Sequence, residues 1–220
     1  MSPETPVLGS TSLVAVVRFQ DGGPVLEAVE ALTQGGVELV EITIDTPGAL
    51  EAVEAAAGNG RTMGVGTLLT AEQVRAAAAA GARFVVSPGL VHEVIEAAHE
   101  LGLEPMPGVF TATEIIVATQ AGASVLKLFP ASNGGPEHLR ILRGPFPSTP
   151  LVPTGGIRLD EVAAYLEAGA TAVALGGDLV GRSAPRSDGE LERIVARAAR
   201  AVAEAATVTS VGPVALQGAQ

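Results

Sequence analysis

The stretch Ala123-Ser124-Val125-Leu126-Lys127-Leu128-Phe129-Pro130 sets how this chain is read. Lys127 is the single lysine; the other 12 of the 13 basic residues are arginines. Soluble proteins scatter lysines over their surface, where the ammonium stays hydrated. Here the lone one sits in a short apolar run that Pro130 ends, and the run reads as a buried strand. Burial disfavours the ammonium and favours a neutral amine able to attack a carbonyl. Arginine stays protonated and cannot take that role. The competing reading is a lysine that snorkels from the strand end to solvent.

Outward from this run, short apolar segments alternate with alanine-rich helical ones. Candidate strands are 13–17, 38–42, 62–65, 83–86, 104–106, 124–127, 150–152 and 172–175. Between them lie helical signals. Asp21-Gly22-Gly23-Pro24 starts one helix, and Thr70-Ala-Glu-Gln73 and Thr111-Ala-Thr-Glu114 are capping boxes. Eight apolar strands separated by helices predict parallel pairing with right-handed crossovers. The expected fold is α/β, a single-domain (β/α)8 TIM barrel over residues 13–205, with a doubly wound open sheet as the alternative. Residues 1–12 read as an arm or short helix. Residues 206–220 lose helical period and read as a tail.

Composition narrows the partners. A net charge of −11 repels nucleic acid and anionic lipid, and 3% aromatics leave little for base stacking. The same charge repels an anionic metabolite, so such a ligand needs local positive potential. No apolar run is long enough to span a membrane, no secretory signal is evident, and there are no cysteines. Cytoplasm is the default location.

In a parallel barrel, residues at strand C-termini converge on one mouth. Polar residues gather there: Arg18, Glu41, Thr43, Thr67, Ser87, Lys127 and Thr154. Glu41 has no structural need inside an apolar strand. It is either a general acid/base beside the amine or simply the ion-pair partner of Arg18 or Lys127. Thr67 follows Gly64-Val65-Gly66, where a ligand can approach the backbone, so its hydroxyl is a candidate for holding a carboxylate. Gly155-Gly156 and Gly176-Gly177, after the last two strands, occupy the usual phosphate cradle of such barrels. His92, His99 and His138 read as solvated surface residues, and no metal site is evident.

Several segments taken together carry a resemblance. Ala15-Val-Val-Arg18, Val40-Glu41-Ile-Thr, Gly64-Val-Gly66-Thr67, Ser87-Pro88-Gly89, Pro107-Gly108, Lys127-Leu-Phe129-Pro130, Asn133-Gly-Gly135 and Pro153-Thr-Gly-Gly156 occur in this order between about residues 13 and 180. The set resembles the 2-keto-3-deoxy-6-phosphogluconate aldolase family, which includes the phosphogalactonate and 4-hydroxy-2-oxoglutarate aldolases. The resemblance implies a class I aldolase that forms a Schiff base with pyruvate and needs no metal or other cofactor. Its small-molecule partners would be pyruvate and an aldehyde such as glyceraldehyde 3-phosphate or glyoxylate. By resemblance Lys127 forms the imine and Glu41 shuttles protons through water. Thr67 holds the pyruvate carboxylate, Pro88, Phe129 and Thr154 line the pocket, and Arg18 stands at its mouth. It also implies a homotrimer.

Two departures stand out. Asp45 replaces the arginine that phosphogluconate enzymes carry four residues after the glutamate, where the galactonate type has a neutral residue. The phosphate-binding serine of phosphogluconate enzymes aligns with Asp178, and that of galactonate enzymes with Gly177, so this chain has neither. The expectation is a weakened preference for phosphorylated substrates. Rival readings are a phosphate-binding barrel isomerase or synthase with Lys127 as an electrostatic clamp, and a non-catalytic barrel that binds a keto acid.

Overall fold

The computed structural model describes Val7 and residues 11–209. In chain order the elements are β1 (Leu13–Val17), α1 (Val25–Gln34), β2 (Leu39–Thr43), α2 (Ala49–Gly58), β3 (Thr62–Gly66) and α3 (Ala71–Ala79). Then come β4 (Phe84–Val86), α4 (His92–Glu100), β5 (Glu104–Met106), β6 (Gly108–Val109), α5 (Ala112–Gln120), β7 (Leu126–Leu128) and α6 (Gly135–Arg143). The chain ends in β8 (Leu151–Pro153), α7 (Val162–Glu167), β9 (Val173–Leu175), α8 (Gly177–Val180) and α9 (Asp188–Thr209).

This is a parallel α/β fold. Every paired strand runs parallel to its neighbour, in a six-stranded sheet of order β5-β4-β3-β2-β1-β9 and a three-stranded sheet β6-β7-β8. All eight expected strands form, within two residues at each end. The exception to the count is an extra strand, β6, because the fifth segment breaks at Pro107. Proline brings no N–H to a ladder, so pairing passes from one sheet to the other at that residue. The carbonyl of Pro107 still accepts from the Lys127 N–H at 3.0 Å. Opposite this break, Thr154 and Ala174 form an isolated parallel bridge, and Thr171 N–H donates to Leu151 at 2.9 Å.

Strand periodicity sorts the core into two layers. Leu126 and Leu128 join the large cluster between strands and helices, with Ala15, Val17, Val40, Ile42 and Val65. Val125 joins a smaller inner cluster with Val14, Leu39, Phe84, Val86, Met106 and Val152. Burying a leucine stabilises the fold by about 1.5–3 kcal/mol, so β7 is locked by Leu126 and Leu128 while Lys127, between them, belongs to the other face. Inner and outer faces are thus fixed by the alternation around the lysine.

Helix starts follow the local signals. Thr111 and Glu114 make a complete capping box, and Thr70 accepts from Gln73 N–H. Helix α9 continues through Thr209, past the expected start of the tail at residue 206, because Ala205-Ala206 are strong helix formers. The rest of the expected tail (210–220), and residues 1–6 and 8–10 of the expected arm, lie outside the described residues. Val7 is half-buried, packs on the inner cluster, and donates its N–H to Glu104 at 2.8 Å.

Candidate active site

One cavity of about 740 Å³ opens where the strands end. The eleven catalytic and substrate-binding candidates line it: Arg18, Glu41, Thr67, Pro88, Lys127, Phe129, Thr154, Gly155, Gly156, Gly176 and Gly177. Ser87, also expected at the mouth, does not: it is buried and its hydroxyl donates to the Gly89 carbonyl at 2.7 Å. The eleven come from the ends of seven strands far apart in sequence, and parallel topology alone brings them together.

At the bottom stand Glu41 and Lys127. Glu41 is 0% exposed and Lys127 is 6% exposed, which sets aside a snorkelling lysine. A Glu41 Oε atom lies 4.0 Å from Lys127 Nζ, an ion-pair distance beyond hydrogen-bond reach. Neither carboxylate oxygen accepts a hydrogen bond from any described residue. A buried carboxylate left so is costly, and structural ones are normally satisfied. Arg18 does not supply the missing partner. Its guanidinium donates to the hydroxyls of Thr43, at 3.3 Å, and Thr67, and lies 3.5 Å from Asp45. Phe129, two residues beyond the lysine, faces the same way and puts its ring 5.1 Å from Nζ.

The place of the carboxylate is fixed from the next strand. Glu41 pairs in register with Gly64, and a side chain at Gly66 would place its Cβ 1.7 Å from the carboxylate oxygen. Thr67, next in line, adopts φ of 64°, a region that β-branched residues avoid. Such strain persists where the surroundings over-determine it, and it gathers at functional sites.

The upper rim is made of loops. Gly155 and Gly156 both have positive φ, and side chains there would run into the Phe129 ring and Ser132. Asp178 accepts the Leu159 N–H at 2.7 Å and so caps the turn at 159–161. Three further rim residues escaped sequence reading: Gln20, Arg158 and Arg182. They sit beyond the strand ends, where no period marks a residue. Arg158 forks onto Asp160 with two contacts of 2.9 Å, which holds that carboxyl below its usual range.

The histidines divide. His92 and His99 are exposed, as expected. His138 is half-buried: its Nε2 is 2.8 Å from the Phe110 carbonyl and its ring stacks on Phe110 at 4.5 Å. A ring placed by a backbone carbonyl and an aromatic face is a packing residue, which corrects the surface reading. Among the described residues no group of three or more histidine, cysteine, aspartate or glutamate side chains could hold a metal ion, and no helix is long and apolar enough to cross a membrane.

The aldolase family model for KDPG and KHG aldolase matches residues 5–196. The chain is 35% identical over 181 residues to the 2-dehydro-3-deoxy-6-phosphogalactonate aldolase of Escherichia coli (strain K12), covering 80% of this chain and 88% of that protein. It is 33% identical over 202 residues to the 2-dehydro-3-deoxy-phosphogluconate aldolase of Dickeya dadantii (strain 3937), covering 90% and 94%. A solved KDPG aldolase from Legionella pneumophila, with pyruvate captured at low pH as a covalent carbinolamine intermediate, superposes with a TM-score of 0.79. That pair is 28% identical, covering 89% of this chain and 96% of the other. This chain belongs to the KDPG and KHG aldolase family.

Proposed function

We propose that the protein is a class I aldolase that reversibly cleaves a 2-keto-3-deoxy sugar acid, or a related 4-hydroxy-2-oxo acid, to pyruvate and an aldehyde. The observation that carries this reading is the buried pair of Lys127 and Glu41, whose carboxylate has no hydrogen-bond partner among the described residues. A carboxylate without such a partner beside a lone buried lysine is available for moving protons.

The steps follow from that pair. Lys127 Nζ attacks the C2 carbonyl to give a carbinolamine, and loss of water gives the protonated imine. Glu41, acting through a water, takes the C4 hydroxyl proton. The C3–C4 bond then breaks, its electrons pass into the imine as an enamine, and the C4 fragment leaves as the aldehyde. The enamine is protonated at C3, and hydrolysis of the imine releases pyruvate. Thr67 holds the pyruvate carboxylate, helped by the Arg18 contact that orients its hydroxyl. Pro88, Phe129 and Thr154 shape the pocket, and Gly155, Gly156, Gly176 and Gly177 face the far end of the substrate.

The same reading extends to architecture. The two sheets form one eight-stranded (β/α)8 ring over residues 13–205, with β5 and β6 as halves of a single strand. The bridge between Thr154 and Ala174 supports closure on the other side. A homotrimer in the cytoplasm is the working assembly, to be checked by light scattering for three times the 22.0 kDa chain mass.

The chemical test is borohydride reduction in the presence of pyruvate. The reading requires one covalent adduct per chain, on the peptide containing Lys127, together with pyruvate release from a keto-deoxy acid. A phosphate-binding isomerase with the lysine as a clamp gives no adduct. A non-catalytic keto-acid binder releases no pyruvate from that substrate.

A further inference from the structure

Six charged side chains line the cavity: Arg18, Lys127, Arg158 and Arg182 against Glu41 and Asp178. In a chain of net charge −11, cations outnumber carboxylates among these lining side chains, and an anionic substrate needs one that is not already paired. Most of the six are engaged. Lys127 faces Glu41, and Arg18 is held by Thr43, Thr67 and Asp45. Arg158 is neutralised by the Asp160 fork, and Asp178 accepts from Leu159. Among the described residues, Arg182 alone of the four cations has no ion pair and no side-chain hydrogen bond.

The segment that carries Arg182 is fastened independently of its side chain. The Arg182 carbonyl accepts from Gln20 N–H at 3.2 Å. Asp21 accepts from Ala184 N–H at 3.1 Å and from the Arg186 guanidinium, and a side chain at Gly23 would collide with Ala184. A change of side chain at 182 leaves all of these in place.

We infer that Arg182 is the specificity-determining cation for the far end of the substrate, where it pairs with a terminal phosphate. Guanidinium and phosphate match as a fork of charge-assisted bonds, so one free arginine supplies what a hydroxyl at position 177 or 178 would otherwise provide. Asp178 does not oppose this, because its carboxylate is turned to the Leu159 N–H. The preferred substrate is therefore a keto-deoxy sugar acid with a terminal phosphate, and the expectation of weakened phosphate preference is revised. This inference rests on the aldolase reading.

The test compares kcat/KM on a 6-phosphorylated 2-keto-3-deoxy acid and on its unphosphorylated counterpart, with pyruvate trapping by borohydride as a second readout. Arg182→Ala is expected to lose roughly 10- to 100-fold on the phosphorylated substrate alone, the worth of a hydrogen-bonded charge pair. Arg182→Lys should recover part of that loss and Arg182→Glu deepen it, with pyruvate trapping unchanged in all three. Equal losses on both substrates, or an unchanged preference, overturn the inference while the aldolase reading stands. A wild-type protein that traps no pyruvate and cleaves neither substrate overturns both.

Discussion

The two ends of the cavity are built in opposite ways. The lysine end is made by strands: Glu41 and Lys127 project from β2 and β7, are almost fully buried, and are held by ladder register and by leucines on the reverse face. The rim is made by loops, and its charged groups Arg18, Arg158, Asp178 and Arg182 are exposed. Charges at the buried end interact strongly and tolerate little displacement. Charges at the rim are screened by solvent and can be exchanged at small cost. On the proposed mechanism, chemistry sits where the fold is rigid and substrate choice sits where it is adjustable.

The largest effect expected is at the buried end. Lys127→Arg should abolish both the pyruvate–borohydride adduct and turnover, because a guanidinium forms no imine at working pH. Mass spectrometry of the reduced protein checks this. An adduct that persists in the variant would have to sit at the N-terminal amine, and would remove Lys127 from the mechanism.

Next comes the carboxylate, approached from two sides. Glu41→Gln should lower turnover by roughly 10²–10⁴-fold, the range for loss of one acid/base group, while the imine still forms with pyruvate, more slowly. Gly66→Ala should give a loss of the same order without touching the glutamate. Its Cβ would sit 1.7 Å from the Glu41 oxygen, and the flexible end of that side chain yields before the strand does. Gly64, two residues earlier, is the contrasting case. A Cβ there meets the Phe84 ring at 2.2 Å, and a packed aromatic ring cannot swing away. Gly64→Ala should therefore cost stability, about 1–3 kcal/mol as for other overpacked cores, with less effect on turnover per folded molecule. Thermal unfolding and single-turnover kinetics on both variants separate the two outcomes.

The same contrast explains what could be read from the sequence. The strands were legible because buried parallel strands are short apolar runs, and Lys127 and Glu41 stood out as charges that such runs have no reason to contain. Thr67 and the glycine pairs were legible from their place after strands. The split at Pro107 is a matter of hydrogen-bond supply that length and hydropathy do not register. His138 was missed because its partner, the Phe110 carbonyl, lies 28 residues away with no sequence mark of the contact. Arg158 and Arg182 were missed for a related reason: in loops, nothing in spacing says which way an arginine points. The role of Asp178 depended on a hydrogen bond to Leu159, nineteen residues back, which only the fold reveals.

The smallest effect expected is at the rim, and it sharpens the comparison. Gly177 has open space where a Cβ would sit and a backbone conformation outside the left-handed region, so a serine enters without strain. Gly177→Ser restores a hydroxyl of the kind that galactonate-type relatives carry, by resemblance, at this position. Were it the only side chain acting on a terminal phosphate, a bond to a charged group would contribute about 1.5–3 kcal/mol. With Arg182 already pairing that phosphate, the added donor meets a partly neutralised anion, and exposed polar contacts contribute at the low end of such ranges. The expected gain in kcat/KM is therefore a few-fold, on the phosphorylated substrate only. In the Arg182→Ala background the same serine should gain more, because the two donors then no longer share one charge. A double-mutant cycle on the two substrates measures this. Equal gains in both backgrounds would mean that residues 177 and 182 act on different groups, and gains on both substrates would move the phosphate away from these loops.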